Sequence, residues 1–218
     1  MAETLSFRTT LDTRRYRRNS MVKSIIYLEG GGDSKELRSR CREGFRKLLE
    51  RNGFKDKMPR FVACGGRNTA FSDFKVAHEQ KIYTFVALWV DSEEPLEDIH
   101  KTWEHVQKRD GWEKPHNSID EQLLFMTTCM ETLIAADRET LQQVFKPLQE
   151  SALPSLYNLE KQPRHELYQK LKKATQGCAA PYEKGKISFE VLGKLNAETL
   201  QQHLPSVART WHILQQKL

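Results

Sequence analysis

Ile82-Tyr83-Thr84-Phe85-Val86-Ala87-Leu88-Trp89-Val90, closed by Asp91, is the most strand-like segment of the chain. Its hydrophobicity is almost unbroken, which predicts a strand covered on both faces. Such a strand needs helices above and below it, so this one stretch points to an α/β fold with a parallel sheet.

The sequence before it supplies the rest of that fold. Residues 22–28, Val-Lys-Ser-Ile-Ile-Tyr-Leu, form an apolar run that ends abruptly at Glu29 and the triplet Gly30-Gly31-Gly32. Asp33 or Ser34 can cap a helix in which Leu37, Cys41, Phe45, Leu48 and Leu49 fall at helical spacing, and Asn52-Gly53 closes it. Arg60-Phe61-Val62-Ala63-Cys64 reads as a short strand stopped by Gly65-Gly66, and residues 68–80 as a helix with Phe71, Phe74 and Ala77 inward. The order is β-α-β-α-β, and in such sheets function gathers at the carboxyl ends of the strands.

After Asp91 the pattern changes. Residues 94–118 are polar, with Pro95, Gly111 and Pro115, and predict a long connection with a short helix over 99–108. Residues 120–136 read as one apolar helix through Leu123, Leu124, Met126, Thr127, Met130, Leu133 and Ile134. From 139 onward, short helices are expected between Pro147, Pro154, Pro163, Gly177, Pro181 and Gly185. The expected organisation is a flexible basic arm over 1–21, an α/β core over 22–138 and a helical C-terminal extension over 139–218 packed on that core. Trp89, Trp103, Trp112 and Trp211 are expected in the core.

Among 218 residues, 35 are basic and 29 acidic, a net charge of +6. Arg14, Arg15, Arg17 and Arg18 carry part of the excess, and the stretches 38–51 and 164–173 carry more. That balance favours a polyanionic partner, nucleic acid above all. No apolar run is long enough to span a bilayer, and the first 20 residues lack the apolar stretch of a secretory signal, so a cytoplasmic protein with no membrane association is expected. Cys41, Cys64, Cys129 and Cys178 form no CxxC pair, which argues against zinc and for reduced thiols.

Glu29 ends one predicted strand and Asp91 another, with Asp33 and Glu93 one loop further on. Parallel strands that both end in acids bring carboxylates to one sheet edge. Two carboxylates about 4 Å apart repel by roughly 4 kcal/mol at an effective dielectric of 20, so that charge needs compensation. Oxygen ligands without Cys or His favour Mg²⁺ or Mn²⁺ over softer metals. The glycine triplet is no phosphate loop: it lacks the GxxxxGK[ST] spacing, and Lys35 stands where a GxGxxG motif needs its third glycine.

The run Ile26-Tyr27-Leu28-Glu29-Gly30-Gly31-Gly32-Asp33, followed by a strand ending Val90-Asp91-Ser92-Glu93, resembles the TOPRIM pattern of topoisomerases, primases and overcoming-lysogenization-defect-type nucleases. More closely, the chain from about 25 to 211 resembles a bacterial TOPRIM-like family of unknown function, through Ala63-Cys64-Gly65-Gly66-Arg67, Asp91-Ser92-Glu93-Glu94-Pro95, Arg109-Asp110-Gly111-Trp112, Met130-Glu131 and Ala136-Asp137-Arg138. Members of that family look like components encoded beside an ABC- or AAA-type ATPase in phage-defence cassettes. The resemblance implies a metal-dependent nuclease effector that cuts DNA or RNA and is governed by its ATPase partner; a homodimer is left open. It makes Glu29, Asp91 and Glu93 the metal-binding acids. Glu93 departs from the more usual Asp at its position.

Other residues complete the expected site. Arg67 is placed to hold a scissile phosphate, or else to pair with Asp33 or Asp91. Glu131 and Asp137 lie six apart on one expected helix and so do not share a face; Glu131 is the one assigned to the metal. Lys184 and Lys186 flank Gly185 in a loop suited to nucleic acid, with a solvated turn as the plainer alternative. His100, His105 and His116 are candidate general bases, although each by itself reads as a surface histidine. Against the nuclease stands a non-catalytic regulatory or nucleic-acid-sensing subunit of the same ATPase complex. A phosphatase is disfavoured, because Asp91-Ser92-Glu93-Glu94-Pro95 lacks a DxDx[TV] signature.

Overall fold

A computed structural model describes residues 24–218; the expected basic arm, and the start of the first expected strand, lie outside the described residues. Four parallel strands, β1 (Ser24–Leu28), β2 (Arg60–Ala63), β3 (Phe85–Asp91) and β4 (Leu123–Met126), form one sheet in the order β2-β1-β3-β4. The α/β class with a parallel sheet is therefore as expected. The two central strands, β1 and β3, are those that lead into Glu29 and Asp91.

Side-chain alternation sorts these strands between two cores. Ile26, Leu28, Phe85, Ala87, Trp89, Leu124 and Met126 face one side, while Ile25, Val86, Leu88, Val90, Leu123 and Phe125 face the other. The second face is covered by α2 (Arg67–Gln80) and α3 (Thr102–Asp110), through Ala70, Phe74, Ala77, Trp103 and Val106. The first is covered by α1 (Lys35–Leu49), α4 (Met130–Ala136) and helices from the C-terminal third. Those are α5 (Arg138–Val144), α6 (Arg164–Thr175), α7 (Lys186–Leu192), α8 (Ala197–His203) and α9 (Pro205–Lys217).

The C-terminal helices do not form a separate layer on a finished core. Phe189, Leu192, Leu200, Val207 and Trp211 share one buried cluster with Ile26, Phe45 and Trp89. Trp211 meets Trp89 edge-on at 6.4 Å, and Phe45 meets Trp89 from another direction at 4.9 Å. Residues 139–218 complete the cover that α1 and α4 begin on the first face of the sheet. All four tryptophans are buried, as expected, and the four cysteines are free and buried.

The local expectations hold where a period is clear. Ser34 caps α1 by accepting from the Leu37 amide at 3.3 Å, and Cys41, Phe45, Leu48 and Leu49 are buried. Gly53, at φ +95, turns the chain out of a π-helical turn after α1. β3 begins three residues later than expected, since Ile82 is exposed.

One expectation fails. Residues 120–136 are not a single helix: Asp120–Gln122 is a 3-10 turn, Leu123–Met126 is the edge strand β4, and only Met130–Ala136 is helical. Leu123, Leu124, Phe125 and Met126 are all buried, so no polar position marks the period of two. A short apolar run of this kind fits either element, and pairing with β3 decides it here.

Candidate active site

Glu29 follows β1 directly, and its amide donates to Trp89 O at 3.1 Å, which ties it to the neighbouring strand. Asp91 is the last residue of β3, and its amide donates to Glu29 Oε2 at 3.3 Å. The two acids thus meet at the carboxyl edge of adjacent parallel strands. Asp91 Oδ1 also accepts from the Met130 amide at 3.0 Å, at the start of α4. The next residue, Glu131, is buried and lines the same pocket.

That pocket, of about 370 Å³, is bordered by Glu29, Asp91, Glu131, the glycine triplet and Gly65, and closed by Lys184 and Phe189 from the C-terminal third. The glycines bring two loops into contact. Gly30 and Gly65 exchange amide hydrogen bonds at 2.9 and 3.0 Å, and a Cβ on Gly65 would stand 2.4 Å from Gly32 O. A larger residue at 65 would push the loop after β1 away from the acids.

Electrostatically the pocket is short of positive charge. Burial, then the charges of Glu29 and Glu131, push the Asp91 carboxyl up to about 8, against the weaker opposing pull of Arg164 and Lys184. Glu131 is held by the Tyr182 hydroxyl, which donates to Oε1 at 3.0 Å, and by Lys184 Nζ at 3.5 Å. Burial and the Glu131 carboxylate keep Tyr182 well above its ordinary pKa, so it remains an O–H donor.

Arg67 stands beside the acids as expected, but it is fully engaged. Its Nε and Nη2 form a two-pronged bond to Asp110 at 3.1 and 2.7 Å, and Nη1 reaches Glu29 Oε2 at 3.2 Å and the Asp91 carbonyl. Its guanidinium also lies over the Trp112 ring at 4.7 Å, and Trp112 stacks on Phe71. Burial lowers its pKa, but Asp110 and Glu29 outweigh this and raise it. Neither expected reading of Arg67 describes this arrangement: it pairs with neither the Asp33 nor the Asp91 side chain, and no edge of its fork is left for a phosphate. It fixes Glu29 in place.

Three other expected residues lie elsewhere. The Asp33 side chain is fully exposed on the loop surface, with Arg38 3.8 Å away as its ion-pair partner among the described residues. Glu93 does not line the acid pocket; Arg164 and Arg109, the latter at 3.7 Å, share its carboxylate. Lys186 is exposed at the start of α7, whereas Lys184 turns inward to Glu131.

The remaining candidates have structural partners. The His105 ring lies 2.9 Å from Ser92 O, while His100 and His116 are exposed. Asp137 is buried as the cap of α5, accepting from Thr140 and from the Asn196 amide. Burial pushes the Cys41 and Cys64 thiols up to about 12 and raises Cys129 as well, so none is an activated nucleophile.

The acids pass one test of a divalent site and fail a stricter one. Among the described residues, no group of three or more His, Cys, Asp or Glu side chains is gathered closely enough to hold a metal ion. Mg²⁺ asks less, since one or two carboxylates with water and substrate phosphate suffice. Glu29 and Asp91 supply that pair, and Glu131 borders it.

Sequence reasoning missed Asp110, Arg109, Arg164 and Tyr182 as members of this neighbourhood. Arg109 and Asp110 belong to the Arg109-Asp110-Gly111-Trp112 motif and Arg164 opens a basic stretch, which are the available signals; Tyr182 carries none. Among the described residues no helix is long and apolar enough to cross a membrane. No curated protein and no solved structure matches the chain. One family model does match, over residues 28–215, which runs from the end of β1 through the other three strands, the acid pocket and the helices that close it. The chain belongs to that family, the domain of unknown function DUF4276.

Proposed function

We propose that this protein is a TOPRIM-like, metal-dependent phosphodiester hydrolase that cuts DNA or RNA as the nuclease effector of an ATPase-coupled anti-phage system. The carrying observation is that Glu29 and Asp91 stand at the carboxyl ends of adjacent parallel strands on one pocket, the Asp91 amide donating to the Glu29 carboxylate, with Glu131 on the same pocket. That is where the TOPRIM resemblance expects its first glutamate and the first acid of its pair. The raised Asp91 pKa supports the same reading, because the pocket holds more negative charge than its own cations offset.

Glu29 and Asp91 would hold Mg²⁺ or Mn²⁺. Once bound, the ion supplies a Lewis acid for a phosphoryl oxygen and a water of lowered pKa. The chain's own part is positional. Arg67, locked by Asp110, orients Glu29; the Met130 amide orients Asp91; Tyr182 orients Glu131. In the free chain, burial and the Glu29 and Glu131 charges favour the protonated Asp91 carboxyl, and a bound divalent cation would favour its ionised form. Lys184 lines the pocket with a half-exposed side chain 3.5 Å from Glu131, and it would be the residue to turn from Glu131 to a phosphate oxygen. The ATPase partner and the defence setting rest on the resemblance; the net charge of +6 fits a nucleic-acid substrate.

The test is cleavage of tRNA, single-stranded RNA, plasmid and single-stranded DNA with Mg²⁺ or Mn²⁺ against chelator, for wild type and Glu29→Gln, alone and with the neighbouring ATPase. Metal-dependent cleavage that disappears in Glu29→Gln establishes the nuclease. Metal binding without cleavage under every condition points instead to the regulatory, nucleic-acid-sensing subunit.

A further inference from the structure

Glu93 sits two residues beyond β3 at φ +69, a left-handed conformation uncommon for any residue other than glycine, asparagine or aspartate. Its amide is anchored by donating to Thr128 O at 2.8 Å. Its carboxylate lies between two guanidinium groups, Arg109 from the end of α3 and Arg164 from the first turn of α6. Arg109 also pairs with Asp110, the residue that grips Arg67.

The arginines are only partly covered, with side chains 26% and 37% exposed, while the Glu93 side chain is 12% exposed. Ion pairs of partly solvated arginines contribute little to stability, so the fold gains little from holding an acid there in a rare backbone conformation. Two guanidinium forks around one anion are, however, the arrangement that binds a phosphate. The position borders the acid pocket: Glu93 lies two residues beyond Asp91, and Arg164, its partner, and Lys184, which lines the pocket, both act on the Asp91 carboxyl.

We propose that Arg109 and Arg164 form a backbone-phosphate subsite for a nucleic-acid strand beside the acid pocket, and that the Glu93 carboxylate fills it in the free protein as an internal stand-in for phosphate. Glu93 is then a brake on substrate binding rather than a metal ligand. A strand must displace it to engage both arginines. A polynucleotide suits the arrangement better than a free anion, because Arg109, Arg164 and Lys184 come from three separate elements and can take successive phosphates. The subsite rests on the proposed function only for what happens to the strand afterwards; binding itself needs no metal.

The experiment follows a labelled single-stranded oligonucleotide, as DNA and as RNA, by fluorescence anisotropy with the full chain in chelator at several salt concentrations. Glu93→Gln should tighten binding about fivefold to tenfold, because the arginines lose their resident anion. Glu93→Gly, which suits the backbone at this position, should give the same gain and guards against a folding artefact. Arg109→Ala combined with Arg164→Ala should weaken binding at least about tenfold and cancel the gain from Glu93→Gln.

Calorimetry with Mg²⁺ separates this from the proposed function. Unchanged Mg²⁺ affinity in Glu93→Gln is the expected result; lost Mg²⁺ affinity with no gain in oligonucleotide binding returns Glu93 to the metal and overturns the subsite. A wild-type chain that binds no Mg²⁺ while Glu93→Gln still gains affinity removes the nuclease and leaves the subsite standing. A gain for inorganic phosphate in competition, with none for the oligonucleotide, overturns the nucleic-acid assignment.

Discussion

Arg67 Nη1 stands 3.2 Å from Glu29 Oε2, and the other side of the same guanidinium is held by Asp110. The three side chains are between 10% and 20% exposed, so the network is largely out of water. Removing its centre leaves two acids without their partner. Arg67→Ala should cost about 2–4 kcal/mol in urea denaturation. Arg67→Lys should recover only a small part, because an ammonium cannot reproduce the two-pronged bond to Asp110. A loss below about 1 kcal/mol in Arg67→Ala would show that Glu29 is positioned by something else.

Burial and the Glu29 and Glu131 charges push the Asp91 carboxyl in the folded chain up to about 8 from its ordinary value of 3.8. The folded state therefore binds more protons than the unfolded state between those values, and stability falls as pH rises. This contribution is complete below about pH 4, declines across the window up to about pH 8 and is absent above it. Thermal melts in chelator should show a Tm that decreases from pH 6 to pH 9, and Asp91→Asn should flatten that slope. Mg²⁺ binding should run the other way, tightening from pH 6 to pH 8 with release of a proton.

Tyr182 is fully buried, and its hydroxyl donates to a buried carboxylate. Tyr182→Phe keeps the packing against Phe145 and Tyr168 but leaves Glu131 with Lys184 as its remaining cation. The expected loss is about 1–2 kcal/mol. Glu131→Gln in the same background should restore part of it, since the amide carries no charge to compensate. Chemical denaturation of the two single variants and the double variant measures this coupling directly.

Gly65 and Gly53 both have positive φ, +81 and +95, but different surroundings. A Cβ at Gly65 would meet Gly32 O at 2.4 Å, while one at Gly53 meets nothing within 4 Å. Gly53→Ala should cost about 1 kcal/mol from backbone strain alone. Gly65→Ala should cost at least about 2 kcal/mol and should also weaken Mg²⁺ binding, because the loop carrying the glycine triplet is forced off the acids. Equal effects of the two substitutions in a melt would mean that the loop contact is not structural.

The sequence determined the layered architecture and the placement of two acids. The apolar run through 24–28 and the continuous run through 85–90 specify strands, the helical spacing of Leu37 to Leu49 specifies what covers one face, and an acid at the end of each central strand puts Glu29 and Asp91 at one edge. These signals are local and periodic, so a reader of the chain can recover them. β4 was illegible because Leu123 to Met126 are buried on both faces and carry no period. Only the tertiary structure decided the rest of the site. It joined Arg67 to Asp110 across 43 residues and Tyr182 to Glu131 across 51, and it handed Glu93 to two arginines instead of leaving it with Asp91. Such pairings leave no spacing rule in the sequence, because they are set by which helices pack on which sheet face, and that is fixed by the buried core as a whole.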